Sequence, residues 1–144
     1  MNNQTTFRIG RPTHDVFEAF VDPVKIGNFW FTSSSERWEA GKTITMKYEE
    51  YNALVDIRVT EIVVNRKIVF QWGENEDEHE VTITLKELDH ASTIIEVNEE
   101  GFKENDEALL SKLVDNKEGW VFMLTCLKAY LECGVTQLRT GIVK

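Results

Sequence analysis

The stretch Val55-Asp56-Ile57-Arg58-Val59-Thr60-Glu61-Ile62-Val63-Val64-Asn65-Arg66-Lys67-Ile68-Val69-Phe70-Gln71-Trp72 alternates apolar and polar side chains on both sides of Asn65-Arg66. Val55, Ile57 and Val59 fall on one phase before that turn, and Ile68, Phe70 and Trp72 share a face after it. A period of two broken by a short polar turn predicts an antiparallel hairpin with one dry and one wet face. Ile62-Val63-Val64 blurs the alternation, which predicts a bulge or added twist there.

The same period extends outward. Upstream, Ile44, Met46 and Tyr48 share a face after a Gly41-Lys42 turn, and Trp38 is assigned to a short strand before it. Downstream, Val81, Ile83 and Leu85 follow an acidic run, and Thr93, Ile95 and Val97 follow an Asp89-His90 turn. Thr5-Thr6-Phe7-Arg8-Ile9 reads as a first strand. Short turns between successive strands predict an antiparallel meander. After the first strand, Pro12 opens a helix whose apolar stripe is Val16, Phe17, Phe20 and Val21. Asp22-Pro23 interrupts it, a second short helix spans Val24 to Phe29, and Thr32-Ser33-Ser34-Ser35 is a loop.

The dry face needs a cover. Residues from Asn105 to Cys133 supply it, because Leu109, Leu113, Trp120, Leu124, Leu127 and Leu131 lie within about 40° of one line on a helix. Lys117 lies on that line and Gly119 is a weak helix former, so a break or kink is expected near Asn116. Gly134 is placed to end the helix in the left-handed conformation. The expected class is α+β, with residues 1–144 as one domain.

Composition narrows the function classes. Sixteen Lys and Arg against 25 Asp and Glu give a net charge of −9, a field that repels phosphate backbones and argues against nucleic-acid binding. No apolar run approaches a membrane span, and the first residues carry no secretory pattern. Cys126 and Cys133 stand seven residues apart in the helix, roughly 10.5 Å, too far for a disulfide. Free thiols fit a reducing compartment, so a cytoplasmic location is expected. His14, His79 and His90 show no metal-ligand spacing, and the run Glu74-Asn75-Glu76-Asp77-Glu78-His79-Glu80 reads as a solvated hairpin loop rather than a calcium loop. No metal and no cofactor is expected.

Three segments carry a family resemblance. Ile9 through Trp30 reads I-x-x-P-x-x-x-V-F-x-A-F-x-D-P before Phe29-Trp30; Val55 through Trp72 is the hairpin above; Gly119-Trp120 precedes Leu124, Leu127, Tyr130 and Leu131. In this order they resemble the START-like, Bet v 1-like superfamily (SRPBCC), and within it the small proteins related to the C-terminal domain of the Hsp90 ATPase activator. The resemblance implies a helix-grip architecture. In it a curved antiparallel sheet of six to seven strands wraps a long C-terminal helix, two short helices follow the first strand, and a cavity lies between sheet and helix. The acidic loop after Trp72 and the aromatic run Phe29-Trp30-Phe31 depart from the family pattern.

The candidate cavity lining is Phe29, Trp30, Trp38, Met46, Tyr48, Ile57, Phe70, Trp72, Ile83, Trp120, Leu124 and Leu127. Large aromatics there either fill the space or line it with an edge that offers an indole N–H. No catalytic residue is assigned, since the inward phases are almost entirely apolar. Asp56 and Arg58 read as a solvated cross-strand pair, and Glu61 becomes an acid–base candidate only if a bulge turns it inward. Phe122 and Cys126 face away from the leucine line. They need cover from the N-terminal helices, from a loop, or from a second copy in a homodimer.

Three functions follow in order: a non-enzymatic binder of a small hydrophobic molecule, a co-chaperone module that engages an Hsp90-type chaperone, and an enzyme of the cyclase or hydrolase kind. Two ionisable groups within hydrogen-bond reach inside the cavity would favour the enzyme.

Overall fold

The computed structural model describes residues 1–143. Strand β1 (Asn2–Ile9) leads through Pro12 into helix α1 (Thr13–Val21), which stops where Asp22 turns extended ahead of Pro23. A 3-10 turn (Ile26–Asn28) and a two-residue strand β2 (Ser33–Ser34) follow. The meander is β3 (Thr43–Tyr48), β4 (Ala53–Val63), β5 (Lys67–Trp72), β6 (His79–Asp89) and β7 (Ser92–Glu100), and helix α2 (Leu109–Cys133) closes the fold ahead of a 3-10 turn (Leu138–Thr140). The seven strands form one curved antiparallel sheet in the order β1-β7-β6-β5-β4-β3-β2. The expected helix-grip architecture is the one observed.

The alternation does what it predicted. Ile44, Met46, Ile57, Val59, Ile68, Phe70, Val81, Ile83, Ile95 and Val97 are buried on one face, against Trp120, Met123, Leu124 and Leu127 of α2 and Val16, Phe17 and Phe20 of α1. The register slips between Val59 and Glu61, so the bulge lies just ahead of Ile62-Val63-Val64. Gly134 ends α2 at φ 68°, its N–H donating to Tyr130 O at 2.9 Å.

Several local expectations are corrected. Trp38 lies outside any strand; its backbone N–H donates to Val21 O at 3.1 Å, so α1 rather than a sheet neighbour satisfies it. Ser33 and Ser34, expected in a loop, pair instead with Lys47 and Met46 as the last strand of the sheet. The short helix expected from Val24 to Phe29 shrinks to the Ile26–Asn28 3-10 turn. Helix α2 starts at Leu109 rather than Asn105 and runs unbroken past Asn116. Lys117 does not disrupt it, because its Nζ donates to Gln4 O at the edge of β1. Asn3 Nδ2 donates to Leu113 O at 2.9 Å and Lys128 Nζ to Arg8 O at 2.8 Å, so the helix covers an edge strand that would otherwise be open.

Candidate functional site

The interior is not wholly apolar. The alternation Thr93, Ile95, Val97 continues one step to Glu99, whose side chain is fully buried. Trp120 Nε1 donates to Glu99 Oε1 at 2.8 Å, Trp72 Nε1 to Oε2 at 3.2 Å, and Asn116 Nδ2 sits 3.1 Å from both oxygens. His79 Nδ1 lies 2.8 Å from Oε2, and an acceptor-only carboxylate places the proton on that nitrogen. Elements β5, β6, β7 and α2 thus meet on one carboxyl group. Burial of such a group is tolerable because its acceptor positions are taken.

This network fixes the aromatic wall. The Trp72 and Trp120 rings stack at 5.3 Å between centroids, and Trp30 meets Trp120 at 5.7 Å. Trp38 Nε1 donates to Ser34 Oγ at 3.3 Å. Three of the four indole N–H groups are therefore spent inside the protein, so of the two alternatives Trp72 and Trp120 take the packing one for their N–H groups.

Two clefts open beside Trp30. One, of about 170 Å³, is lined by Trp30, Trp72, Asp115, Asn116, Gly119 and Trp120. The other, of about 200 Å³, is lined by Phe29, Trp30, Tyr48, Tyr51, Gly119, Phe122, Met123, Arg139 and Ile142. They share Trp30 and Gly119, and a Cβ added at Gly119 would meet nothing within 4 Å. Both clefts therefore border α2 at the one position where it carries no side chain. A wider surface depression of about 660 Å³ beside the β4–β5 turn, between Val63 and Lys67 and along Thr84 to Glu87, has no aromatic lining and none of the candidate residues.

The tail after α2 closes the second cleft. Arg139 is 8% exposed. Its Nε donates to Trp30 O at 2.8 Å and Nη2 to Thr32 Oγ1 at 2.8 Å, while Nη1 and Nη2 reach the two oxygens of Glu50 at 3.2 and 3.0 Å. The guanidinium carbon lies 4.9 Å from the Tyr48 ring centroid. Tyr48 and Tyr51 donate their hydroxyls to the carbonyls of Arg139 and Ile142. The Arg139 guanidinium holds the Glu50 carboxyl down at about 2, helped by the backbone of Glu50 and the Thr32 hydroxyl. Burial pushes the Tyr48 phenol up to about 12, and raises the Cys126 thiol.

Of the candidate lining, Phe29, Trp30, Tyr48, Trp72 and Trp120 border a cleft. Trp38, Met46, Ile57, Phe70, Ile83, Leu124 and Leu127 are buried core instead, each touching other side chains. Asp56 and Arg58 do not pair with each other: Thr45 Oγ1 donates to Asp56, and Arg58 bonds Gln71 and Glu78 at 2.7 Å. Glu61 stays outside despite the bulge, 3.2 Å from Lys67. The inward acid is Glu99, and its signal was the unbroken period of β7. Of the face carrying Phe122 and Cys126, Cys126 is buried and Phe122 borders the second cleft together with Arg139 and Ile142 of the tail. Arg139 left no trace in the periodicity, because the tail has none. Among the described residues no group of three or more His, Cys, Asp or Glu could hold a metal ion, and no helix is long and apolar enough to cross a membrane.

Comparisons with known proteins agree with this geometry. The family described as Activator of Hsp90 ATPase homolog 1-like protein matches residues 11–132. A crystal structure of a Staphylococcus saprophyticus protein superposes with a TM-score of 0.83 at 49% identity, covering 94% of this chain and 95% of that one. The Aha1 dimer from Colwellia psychrerythraea has a TM-score of 0.80 at 19% identity, over 93% of this chain and 98% of that one. An Hsp90 activator from Plasmodium falciparum has a TM-score of 0.70 at 18% identity, over 93% and 96%. No curated protein matches the sequence at a significant level.

Proposed function

The chain belongs to the Activator of Hsp90 ATPase homolog 1-like family, and we propose that within it this protein binds a small, mainly apolar guest beside Trp30, between α2 and the aromatic end of the sheet. The observation that carries the reading is the gap at Gly119. Two clefts of about 170 and 200 Å³ converge there against an aromatic wall that Glu99 holds in place. Their size is below the roughly 300–1,000 Å³ that takes a drug-sized ligand, so the guest is fragment-sized.

Gly119→Leu tests this directly. A Cβ at this position meets nothing within 4 Å, and replacing a glycine inside a helix favours the helix by roughly 0.5–1 kcal/mol. The neutral dye N-phenyl-1-naphthylamine should brighten with the natural protein and fail to do so with Gly119→Leu, whose melting temperature is held or raised. Equal brightening with both proteins overturns the reading, as does no brightening with either.

A second reading, acid–base catalysis, has one observation in its favour: the Glu99–His79 contact of 2.8 Å. Neither residue borders a cleft, and the Glu99 oxygens are already occupied by Trp72, Trp120, Asn116 and His79. The contact therefore supports a scaffold more than a reacting group.

A further inference from the structure

We propose that the guest of the tail-covered cleft is an amphipathic acid whose carboxylate pairs with Arg139 in place of Glu50, its apolar body lying against Phe29, Trp30 and Met123. The inference rests on the cleft-binding reading above and names the ligand class for it.

The argument begins with a donor count. A guanidinium has five N–H groups. Four are assigned: one to Trp30 O, one to Thr32 Oγ1 and two to Glu50. Among the described residues the second hydrogen on Nη1 finds no acceptor, and Arg139 itself borders the cleft.

The two partners of the ion pair differ in freedom. Arg139 is buried and pinned by Trp30, Thr32 and the face of Tyr48, so it stays where it is. Glu50 is 41% exposed at its side chain and belongs to a three-residue 3-10 turn, Glu49–Tyr51. Its bonds to Arg139, at 3.0 and 3.2 Å, are longer than the 2.7–2.9 Å of a good charge-assisted pair. Glu50 also accepts from Thr32 Oγ1 at 2.8 Å, a bond the guest's carboxylate must replace; once released, the Glu50 carboxylate is solvated at little cost. A buried guanidinium cannot be left without an anion, however, so only a guest that brings one can take its place. A neutral guest can accept the spare Nη1 hydrogen but cannot replace the Glu50 charge, and a cationic one is repelled by Arg139.

The net charge of −9 opposes the approach of an anion from far away. That opposition is screened over about 8 Å at physiological salt, whereas the contact with a buried guanidinium is not.

The test uses the whole chain and a matched pair of probes, 2-naphthoate and 2-naphthamide, titrated by calorimetry. The natural protein should bind the acid about tenfold tighter than the amide. Glu50→Gln removes the competing anion while its amide oxygen can still accept from Arg139; leaving the guanidinium without an anion costs stability, which a melting curve of the variant reads separately from binding. The variant should tighten the acid about tenfold further and leave the amide unchanged; charge-assisted bonds are roughly twice as strong as neutral ones, and 1.4 kcal/mol is tenfold in affinity. Arg139→Gln should abolish the difference between the probes. If both probes bind equally, or if Glu50→Gln leaves the acid unaffected, the inference is overturned while the cleft reading stands. If neither probe binds and the neutral dye also fails, both fall together.

Discussion

Trp120 Nε1 on α2 and Glu99 Oε1 on β7 lie 2.8 Å apart, and both residues are buried. This bond ties the last helix to the sheet where the aromatic wall begins. A hydrophobic contact would hold the two elements together without fixing which way the indole points. The carboxylate fixes it, for Trp72 as well as Trp120, and so sets the stacked pair that faces the first cleft.

Glu99→Gln is the sharp test of that role. A glutamine keeps the shape but turns one acceptor oxygen into an NH2 group among indole, imidazole and amide donors. At least one buried donor loses its partner, and each such loss costs about 1–3 kcal/mol. Urea denaturation should give a destabilisation of about 2–4 kcal/mol for Glu99→Gln, with a shifted tryptophan emission. A loss below about 0.5 kcal/mol would show that the network is incidental.

Gly101 guards the same carboxylate from behind. At φ 118° its place suits glycine, and a Cβ there would lie 2.8 Å from Glu78 O and 2.8 Å from His79 Cδ2. Gly101→Ala should push His79 off Glu99 and cost about 2–3 kcal/mol, the positive φ and the displaced ring adding together. Gly134→Ala is the control: its φ is 68°, but nothing stands within 4 Å of the new methyl. It should cost about 1 kcal/mol. The His79 ring resonances should move in Gly101→Ala and stay in Gly134→Ala.

Trp38 separates packing from hydrogen bonding. It is 2% exposed and meets Phe20 and Phe70 with ring centroids at 6.5 and 5.6 Å. Its N–H reaches Ser34 Oγ only at 3.3 Å. Trp38→Ala should cost about 3–5 kcal/mol, and Ser34→Ala about 1 kcal/mol or less. Calorimetric melting of the two variants reads the difference; equal losses would mean that the hydroxyl, and not the ring, anchors this end of the core.

How far the sequence reached follows from what kind of signal each residue carried. Ile57, Phe70 and Ile83 were legible because a period of two is imposed by the sheet itself and repeats over many residues. Lys117 misled for the opposite reason: its charge conflicts with an apolar line, and only the neighbouring β1 carbonyl, distant in sequence, resolves the conflict. Ser33 and Ser34 carry no apolar period, yet they pair with β3 through backbone groups that every residue has. Glu99 sits on the right phase, but a charge at an inward position makes sense only once four donors from other elements are known to surround it. Arg139 and Ile142 lie in a segment with no period, held by tyrosine hydroxyls whose partners are about ninety residues away, a separation that local pattern cannot see.

Glu50 and Arg139 set an acid limit on the tail. The Glu50 carboxyl is held down at about 2 against an ordinary 4.5, chiefly by Arg139. A carboxyl whose folded value lies below its unfolded one contributes stability in full above the unfolded value, and loses it as pH falls toward the folded value. The window for this pair therefore runs from about pH 4.5 down to about 2. Within it the tail loses its ion pair and loosens, while the Arg139 bonds to Trp30 and Thr32 and the tyrosine hydroxyls still hold it in place. The methyl resonance of Ile142 reports the change. The Glu132 carboxyl is also held below its ordinary value, by the Gly10 N–H and then by Lys128, so the measurement is a difference. Glu50→Gln should shift the Ile142 signal already at neutral pH and flatten its response between pH 4.5 and 2. An unchanged acid response in Glu50→Gln would assign the tail's hold to those remaining bonds alone.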